Sequence, residues 1–437
     1  MTDQFENVYF PDELKRFVKD YGLVASKSDQ SIYSYVAETG VYKVLDSVEL
    51  NRLIHDYIVN NSYTELPWHD YSFNIMSKHI STLAPYVEKM GAEEGVIVLK
   101  NGTFKTATMK LYKHSKKNLA ISSLPWVYDK TATCPRFEQL LEEIGNGDEE
   151  LRLTLEEICG ATLAHCTAPQ KFIEIEGDGQ NAKSTFLEIL RLLAGISVTA
   201  DLNLSDLTGD KAFDRYILLN ASLGLIHELP AGLTLEKVMN DNVKKIVCSE
   251  RLSCERKFKD KIIFTPKVIL CCATNYPLII DSSSYSLKRR LLVLQFTRTF
   301  TEEEKDPLLL EKIKAEFSGV INVALRGYQR LKAQDYVYSY QKKSDAYYDK
   351  MLKESNPMYY FVSEYVVACP GRKLKNEKLL NRYLEWAAMN NVKVTGDLQG
   401  ISAQLGNVIK KCGIHFIPRK SNSLRLREGI ALRKIKY

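Results

Sequence analysis

The residues best suited to chemistry lie in one run, Phe172-Ile173-Glu174-Ile175-Glu176-Gly177-Asp178-Gly179-Gln180-Asn181-Ala182-Lys183-Ser184-Thr185-Phe186. An apolar, strand-like segment enters a glycine-rich loop and leaves as a helix, so successive backbone N–H groups and the helix N-terminus can surround a phosphate. In such a loop Lys183 reaches the β and γ phosphates of ATP, and the Ser184 hydroxyl ligates Mg²⁺. Residues Gly177, Asp178, Gly179, Gln180, Asn181, Ala182, Lys183, Ser184 and Thr185 are the expected nucleotide-binding set. The strict pattern has glycine where this chain has Ala182. If that position needs a positive φ, the Cβ costs about 1–2 kcal/mol, which weakens nucleotide binding without abolishing it.

Hydrolysis also needs a carboxylate at the end of a neighbouring strand, to orient water and share the magnesium. Glu228, in Ile226-His227-Glu228 after an apolar run, is the expected residue, with Ser184 as the other metal ligand. His227 stands where a second acid is common, and a packed or capping histidine is the simpler reading of it. The buried run Val268-Ile269-Leu270-Cys271-Cys272-Ala273 ends in Thr274-Asn275, and the Asn275 amide could contact the γ-phosphate or the attacking water. Further on, Arg289 and Arg290 precede Leu291-Leu292-Val293-Leu294; they form either a surface patch or an arginine finger entering a neighbouring subunit's site. Between these motifs, Glu255-Arg256-Lys257-Phe258-Lys259-Asp260-Lys261 reads either as a solvated hairpin or as a DNA grip. In the second case Arg256, Lys257, Lys259 and Lys261 meet phosphates and Phe258 stacks a base.

These groups must be positioned by a chain of 437 residues, long enough for about three domains. Lys and Arg number 60 against 54 acids, a net charge of +6, which excludes an overall basic coat and leaves anionic partners to local patches. Apolar residues are 45% and charged residues 26%, the balance of a soluble globular protein rather than a disordered one. With no long apolar run and an acidic start, the chain is expected to be cytoplasmic, with no membrane partner. Nine scattered cysteines without a CxxC pair are expected to be reduced structural thiols.

Residues 1–146 read as a mixed α+β accessory domain. Ser31–Tyr35 and Val41–Val44 form an expected hairpin, Asp46 and Glu49 a capping box, and Asn101-Gly102 a hairpin turn with two positive φ angles. Residues 147–340 read as a motor domain: from about 147 to 300 helices alternate with short apolar runs, the pattern of a sheet buried on both faces by helices, and beyond 300 a solvated helical connection runs to about 345. Residues 341–437 carry expected helices near 359–367, 377–389 and 401–411 and then two strands. Residues 401–437 hold nine basic residues and one acid, +8, leaving the rest of the chain at −2. Lys410, Lys411, Arg419, Lys420 and Arg425 there suit a winged helix on DNA, or a solvated basic tail.

Together these segments resemble the superfamily-3 helicases, and among them the phage, plasmid and poxvirus-type primase-helicase group. The phosphate loop matches that group's pattern at Gly177, Gly179, Asn181, Lys183, Ser184 and Thr185 and departs at Ala182. Leu124-Pro125-Trp126, Cys134-Pro135-Arg136-Phe137 and Gly160 resemble its N-terminal region; Thr274-Asn275-Tyr276-Pro277 resembles its sensor, residues 244–261 its DNA-contacting hairpin, and Arg289-Arg290 its arginine finger. The resemblance implies an α/β fold in which an AAA+-like P-loop motor lies between the accessory domain and a C-terminal winged helix. It further implies a homohexameric ring that hydrolyses ATP with Mg²⁺ between subunits and moves 3′ to 5′ on single-stranded DNA. Duplex origin DNA is an expected partner for a replication protein of a mobile element or phage, and a primase is expected on another chain. An alternative is an origin-binding initiator that uses ATP for assembly with little unwinding. A metabolic phosphoryl-transfer enzyme would leave the arginine pair and the basic hairpin unexplained.

Overall fold

The computed structural model describes residues 11–61, 70–209, 214–255, 261–280, 285–421 and 424–433. Five short apolar runs form the central sheet: β1 (Phe172–Glu176), β2 (Thr199–Asp201), β3 (Leu223–Ile226), β4 (Ile269–Thr274) and β5 (Leu291–Gln295). Every pairing is parallel, and the order across the sheet is β5-β1-β4-β3-β2. Parallel neighbours require crossovers that cover both faces, which is why these runs are apolar almost throughout. Ile173 and Ile175 of β1 pack with Phe186 and Leu190 of helix α2 (Lys183–Ala194). Phe172 on the opposite face packs with Leu270, Cys272 and Val293.

Helix α1 (Glu149–Leu163), which precedes β1, lies against α3 (Phe317–Ala333) at a separation that admits only glycine. A Cβ on Gly160 would sit 2.3 Å from the backbone nitrogen of Tyr328, and one on Gly327 would sit 2.0 Å from the Glu156 carbonyl oxygen. The same interface is locked by Arg330, which donates to Glu156 and Glu157, both at 2.8 Å.

The N-terminal unit contains the expected hairpin, with Ser31–Val36 antiparallel to Val41–Leu45, in a four-stranded sheet. Asp46 and Glu49 form the capping box of the helix Ser47–Asn60, their side chains accepting from each other's backbone N–H at 2.7 and 3.0 Å. The hairpin Val96–Leu99 to Gly102–Lys105 is also present, but its turn differs from expectation. Only Gly102 has a positive φ, because Asn101 is tied to Tyr128, donating to its carbonyl and accepting from its N–H.

Packing does not divide the chain at residues 146 and 340. Ile97, Leu99, Phe104 and Phe137 share one core with β1, so the central unit begins near residue 95. At the other end, α4 (Gln341–Ser355) lies on β5: Ser344 accepts the Val293 N–H at 2.8 Å, and Tyr348 and Leu352 enter the core. A composition shift marks where polarity changes, whereas an apolar helix face belongs with whatever covers it.

From Pro357 the chain forms a separate core around Phe361, Tyr383, Trp386, Leu405 and Ile430. Three helices (Pro357–Tyr365, Asn376–Met389, Leu398–Lys411) pack with an antiparallel sheet of three strands rather than the expected two. The additional strand, Val366–Lys375, takes over where the helix was expected to continue. It contains Pro370 and Gly371, and a bulge between Cys369 and Lys373 accommodates them. All nine cysteines are free thiols. Among the described residues no helix is long and apolar enough to cross a membrane.

Candidate functional site

At the carboxyl edge of β1 the chain leaves the sheet, turns through residues 177–182 and enters α2, whose first residue is Lys183. The Lys183 side chain is buried and folds back over the loop. Its ammonium donates to the Gly177 carbonyl at 2.6 Å, the Asn181 side-chain oxygen at 2.9 Å and the Asn275 side-chain oxygen at 3.0 Å. Asn275 arrives from the end of β4, the strand beside β1, with Thr274 level with Glu176. Two residues 92 positions apart therefore converge on one point. Burial pulls the Lys183 amine below the usual lysine range, against the opposing pull of Asp178 and Glu176.

The loop fits a phosphate. A Cβ on Gly177 would lie 2.0 Å from the Asn181 amide nitrogen and 2.7 Å from the Phe296 carbonyl oxygen, so that residue must be glycine. Gly179 has φ +102 with open space around it. Ala182, the N-cap of α2, adopts a left-handed conformation, φ 62 and ψ 15, and offers no side-chain hydrogen bond to the first turn. The leading N–H groups of α2 thus receive no side-chain cap from residue 182, and a helix start of this kind can accept an anion. Ser184 is exposed and Thr185 partly so at the same helix end. These features fit a nucleoside triphosphate at the loop. Among the described residues no preassembled cluster of metal-binding side chains is present, so a magnesium ion would be held through Ser184 and the phosphates, with Glu228 on the adjoining strand end.

Glu228 follows β3 at this same edge. The Leu229 N–H donates to the Ala273 carbonyl at 3.2 Å, which holds the acid level with the end of β4. Its side chain is exposed. His227 is neither packed nor capping: it is half-exposed and bonds Asp201 at 2.8 Å. Arg191 of α2 grips the same Asp201 with both terminal guanidinium nitrogens and reaches Glu188 at 2.9 Å. Chiefly through Arg191, and then His227, the Asp201 carboxyl is held down at about 2.

The arginine pair lies at the opposite edge. Register puts Leu291 beside Phe172, so Arg289 and Arg290 sit at the amino end of β1, about 17 Å from its carboxyl end at ~3.3 Å per residue. Arg290 donates to the Cys248 sulfur at 2.9 Å and to the Ser286 carbonyl at 2.8 Å, while Arg289 is exposed. Strands Leu252–Cys254 and Ile262–Phe264 form a two-stranded ladder leading into the basic loop. Lys261 is exposed; Arg256, Lys257 and Lys259 lie outside the described residues. In the C-terminal unit Lys411, Lys420 and Arg425 are exposed, Lys410 lies 5.8 Å from the centre of the Phe416 ring, and Arg419 is paired with Glu428 at 2.9 Å. Arg427 is not surface charge: it is buried, stacked on Phe416 and donates to the Ser402 carbonyl at 2.6 Å.

Two acids beside the loop went unassigned in the sequence. Glu174 and Glu176 project from the same face of β1, an arrangement already implied by the alternation Phe-Ile-Glu-Ile-Glu. Burial, with help from Glu176, pushes the Glu174 carboxyl up to about 8. Burial also raises Glu176, which accepts from the Tyr347 hydroxyl of α4 at 2.6 Å. Nothing local in the sequence announces Tyr347, 171 residues away.

Residues 175–290 match a family of unknown function (DUF5906), and residues 74–145 match a family described as D5 N terminal like. Among solved structures, the A form apo structure of the NrS-1 C-terminal region, residues 305–718, aligns with a TM-score of 0.56 at 12% identity, over 96% of this chain and 100% of that one. A second apo structure of the same region gives 0.56 at 13% identity over 96% and 98%. The chain therefore shares its fold with that region nearly from end to end.

Proposed function

We propose that this chain is an ATP-driven DNA helicase serving replication of a phage, plasmid or other mobile element. In this reading it is an AAA+-like P-loop motor with a C-terminal winged helix, working as a homohexameric ring that moves 3′ to 5′ on single-stranded DNA. The observation that carries the reading is the convergence of Lys183 and Asn275, 3.0 Å apart, at the carboxyl edge of an all-parallel sheet of order β5-β1-β4-β3-β2. That edge is where open α/β sheets bind ligands. The lysine ammonium, held by three oxygens, would exchange them for phosphate oxygens; Asn275, released, would face the γ-phosphate or the attacking water. Glu228 would orient that water. Magnesium, held through Ser184, would neutralise charge on the phosphates.

Arg289 and Arg290 support assembly, because they lie too far from their own phosphate loop to serve it. In a ring they would meet the loop of the adjacent copy, completing each site in trans. The exposed basic residues of the C-terminal unit, Lys411, Lys420 and Arg425, suit duplex origin DNA. A primase, in this reading, is a separate chain.

The test is ATP hydrolysis with and without single-stranded DNA, alongside displacement of a strand from a duplex carrying a 3′ tail. DNA-stimulated hydrolysis with displacement is the expected result, and a 5′-tailed duplex should stay intact. The strained Ala182 and the engagement of His227 by Asp201 favour a second reading, an origin-binding initiator with slow turnover. Assembled rings that bind origin DNA yet displace nothing would select it.

A further inference from the structure

Residues 95–128 contain six lysines, Lys100, Lys105, Lys110, Lys113, Lys116 and Lys117, and no arginine, aspartate or glutamate. This charge escapes a whole-chain balance because acids elsewhere cancel it. The strands Gly102–Lys105 and Lys110–Tyr112 pair antiparallel, with Lys105 directly opposite Lys110, Phe104 opposite Leu111 and Thr103 opposite Tyr112. Phe104 is fully buried and Leu111 packs beside it, so alternation turns Lys105, Lys110 and Tyr112 to the other face.

Like charges directly opposite each other destabilise an antiparallel pair. The nearest acids in sequence, Glu93, Glu94 and Asp129, lie just outside this stretch, and among the described residues none of the six lysines enters an ion pair, although lysines elsewhere do so repeatedly. Lys110, Lys113, Lys116 and Lys117 are exposed. Tyr112 is 41% exposed; its ring is fixed by the Lys105 ammonium, 5.6 Å from the ring centre, and by a hydroxyl bond to Thr108 at 3.1 Å. Unpaired cations around a fixed, accessible aromatic ring are what an unpaired nucleic-acid strand requires: phosphates for the ammonium groups and a base for the ring.

We propose that the hairpin of residues 102–112 with the turn that follows it is a second contact for single-stranded DNA, outside the motor loop and the C-terminal unit. The identity of the polyanion rests on the reading above. Phe104, under the hairpin, shares a core with Ile175 of β1, so a strand held here would be fixed relative to the phosphate loop.

The test uses the full-length chain without nucleotide, titrated against labelled oligothymidylate and against a blunt duplex over a range of salt. Changing Lys105, Lys110 and Lys113 together to Gln should weaken single-strand binding about tenfold or more and reduce the slope of log affinity against log salt by about 2, near 0.7 for each lysine removed. Its thermal midpoint should equal or exceed that of the unaltered chain, because the repulsion between opposed lysines is gone. Tyr112→Leu should weaken single-strand binding about fivefold or more through lost stacking, with the slope and duplex binding unchanged. An unchanged slope in the triple variant overturns the proposal, as does a failure of the unaltered chain to bind oligothymidylate. A Tyr112→Leu chain with full affinity overturns the single-strand assignment. ATP hydrolysis on the same preparation is read independently, so the nucleotide site can stand or fall alone.

Discussion

Lys183 and the lysines of the 102–112 hairpin carry the same ammonium group in opposite surroundings. Lys183 is buried and held by three oxygens from the loop and the end of β4, while Lys105 and Lys110 stand directly opposite each other in a hairpin and, among the described residues, enter no ion pair. One site is built by tertiary convergence and, in the proposed reading, would take a phosphate of defined geometry. The other is built by local spacing and suits a polymer of repeating charge. Burial makes a single lysine specific; exposure makes several lysines additive and sensitive to salt.

The largest effect expected from breaking the first site is that of Lys183→Ala. Phosphate release should fall by about 10²–10³-fold or more, while oligothymidylate binding through the hairpin persists. Full hydrolysis in that variant would sink the nucleotide assignment. Asn275→Ala should be milder, lowering kcat about 10- to 100-fold with KM little changed, because in the proposed reading its contact would matter most as the γ-phosphate departs. A rise in KM at constant kcat would instead make Asn275 a ground-state binding residue.

Glu174 sharpens the contrast through pH. Its folded-state carboxyl titrates near 8, above the ordinary 4.5, so the folded chain holds a proton that the unfolded chain releases. Its contribution is complete below pH 4.5 and lost as pH rises toward 8. Thermal midpoints of Glu174→Gln should decline less across that window, and parallel curves would show that the acid is already ionised. Ala182→Gly should relieve the left-handed backbone and raise stability by about 1 kcal/mol or less, after the entropy cost of glycine. Nucleotide affinity, measured by titration, should rise with it.

The smallest effect belongs to Asp201→Asn. Its carboxyl is depressed to about 2, so the stability it contributes is present above 3.8 and disappears as pH falls toward 2. Because Asp201 is more than half exposed, solvent screens the pairing and the loss should be under about 1 kcal/mol near neutral pH. Acid unfolding curves that coincide below pH 2 and separate above 4 would match this.

Much of the candidate site's local geometry was legible because its signals are local. A strand, a glycine-rich turn and a helix start within fifteen residues, Gly177 and Gly179 occupy positions that reject a Cβ or need a positive φ, and the capping box of Asp46 and Glu49 spans a single turn. The buried strands were legible because parallel sheets are apolar on both faces. Less local features escaped. The bulged strand Val366–Lys375 was hidden by its Pro-Gly pair, and helix α4 could be joined to the central unit only by knowing that it covers β5. The lysine hairpin was hidden in a charge balance taken over hundreds of residues.

What the sequence determined by itself was the inventory: the loop residues, the apolar runs, the acids on one face of β1 and the basic stretches, each fixed by spacing within a few residues. Tertiary structure decided their company. It brought Asn275 to Lys183, gave His227 to Asp201 and Glu176 to Tyr347, buried Arg427 while leaving Arg425 exposed, and set Arg290 at the far edge from the loop. The reason is physical. Strand order and register are chosen by burial summed over the whole core, so no local pattern states which distant side chains will share an edge.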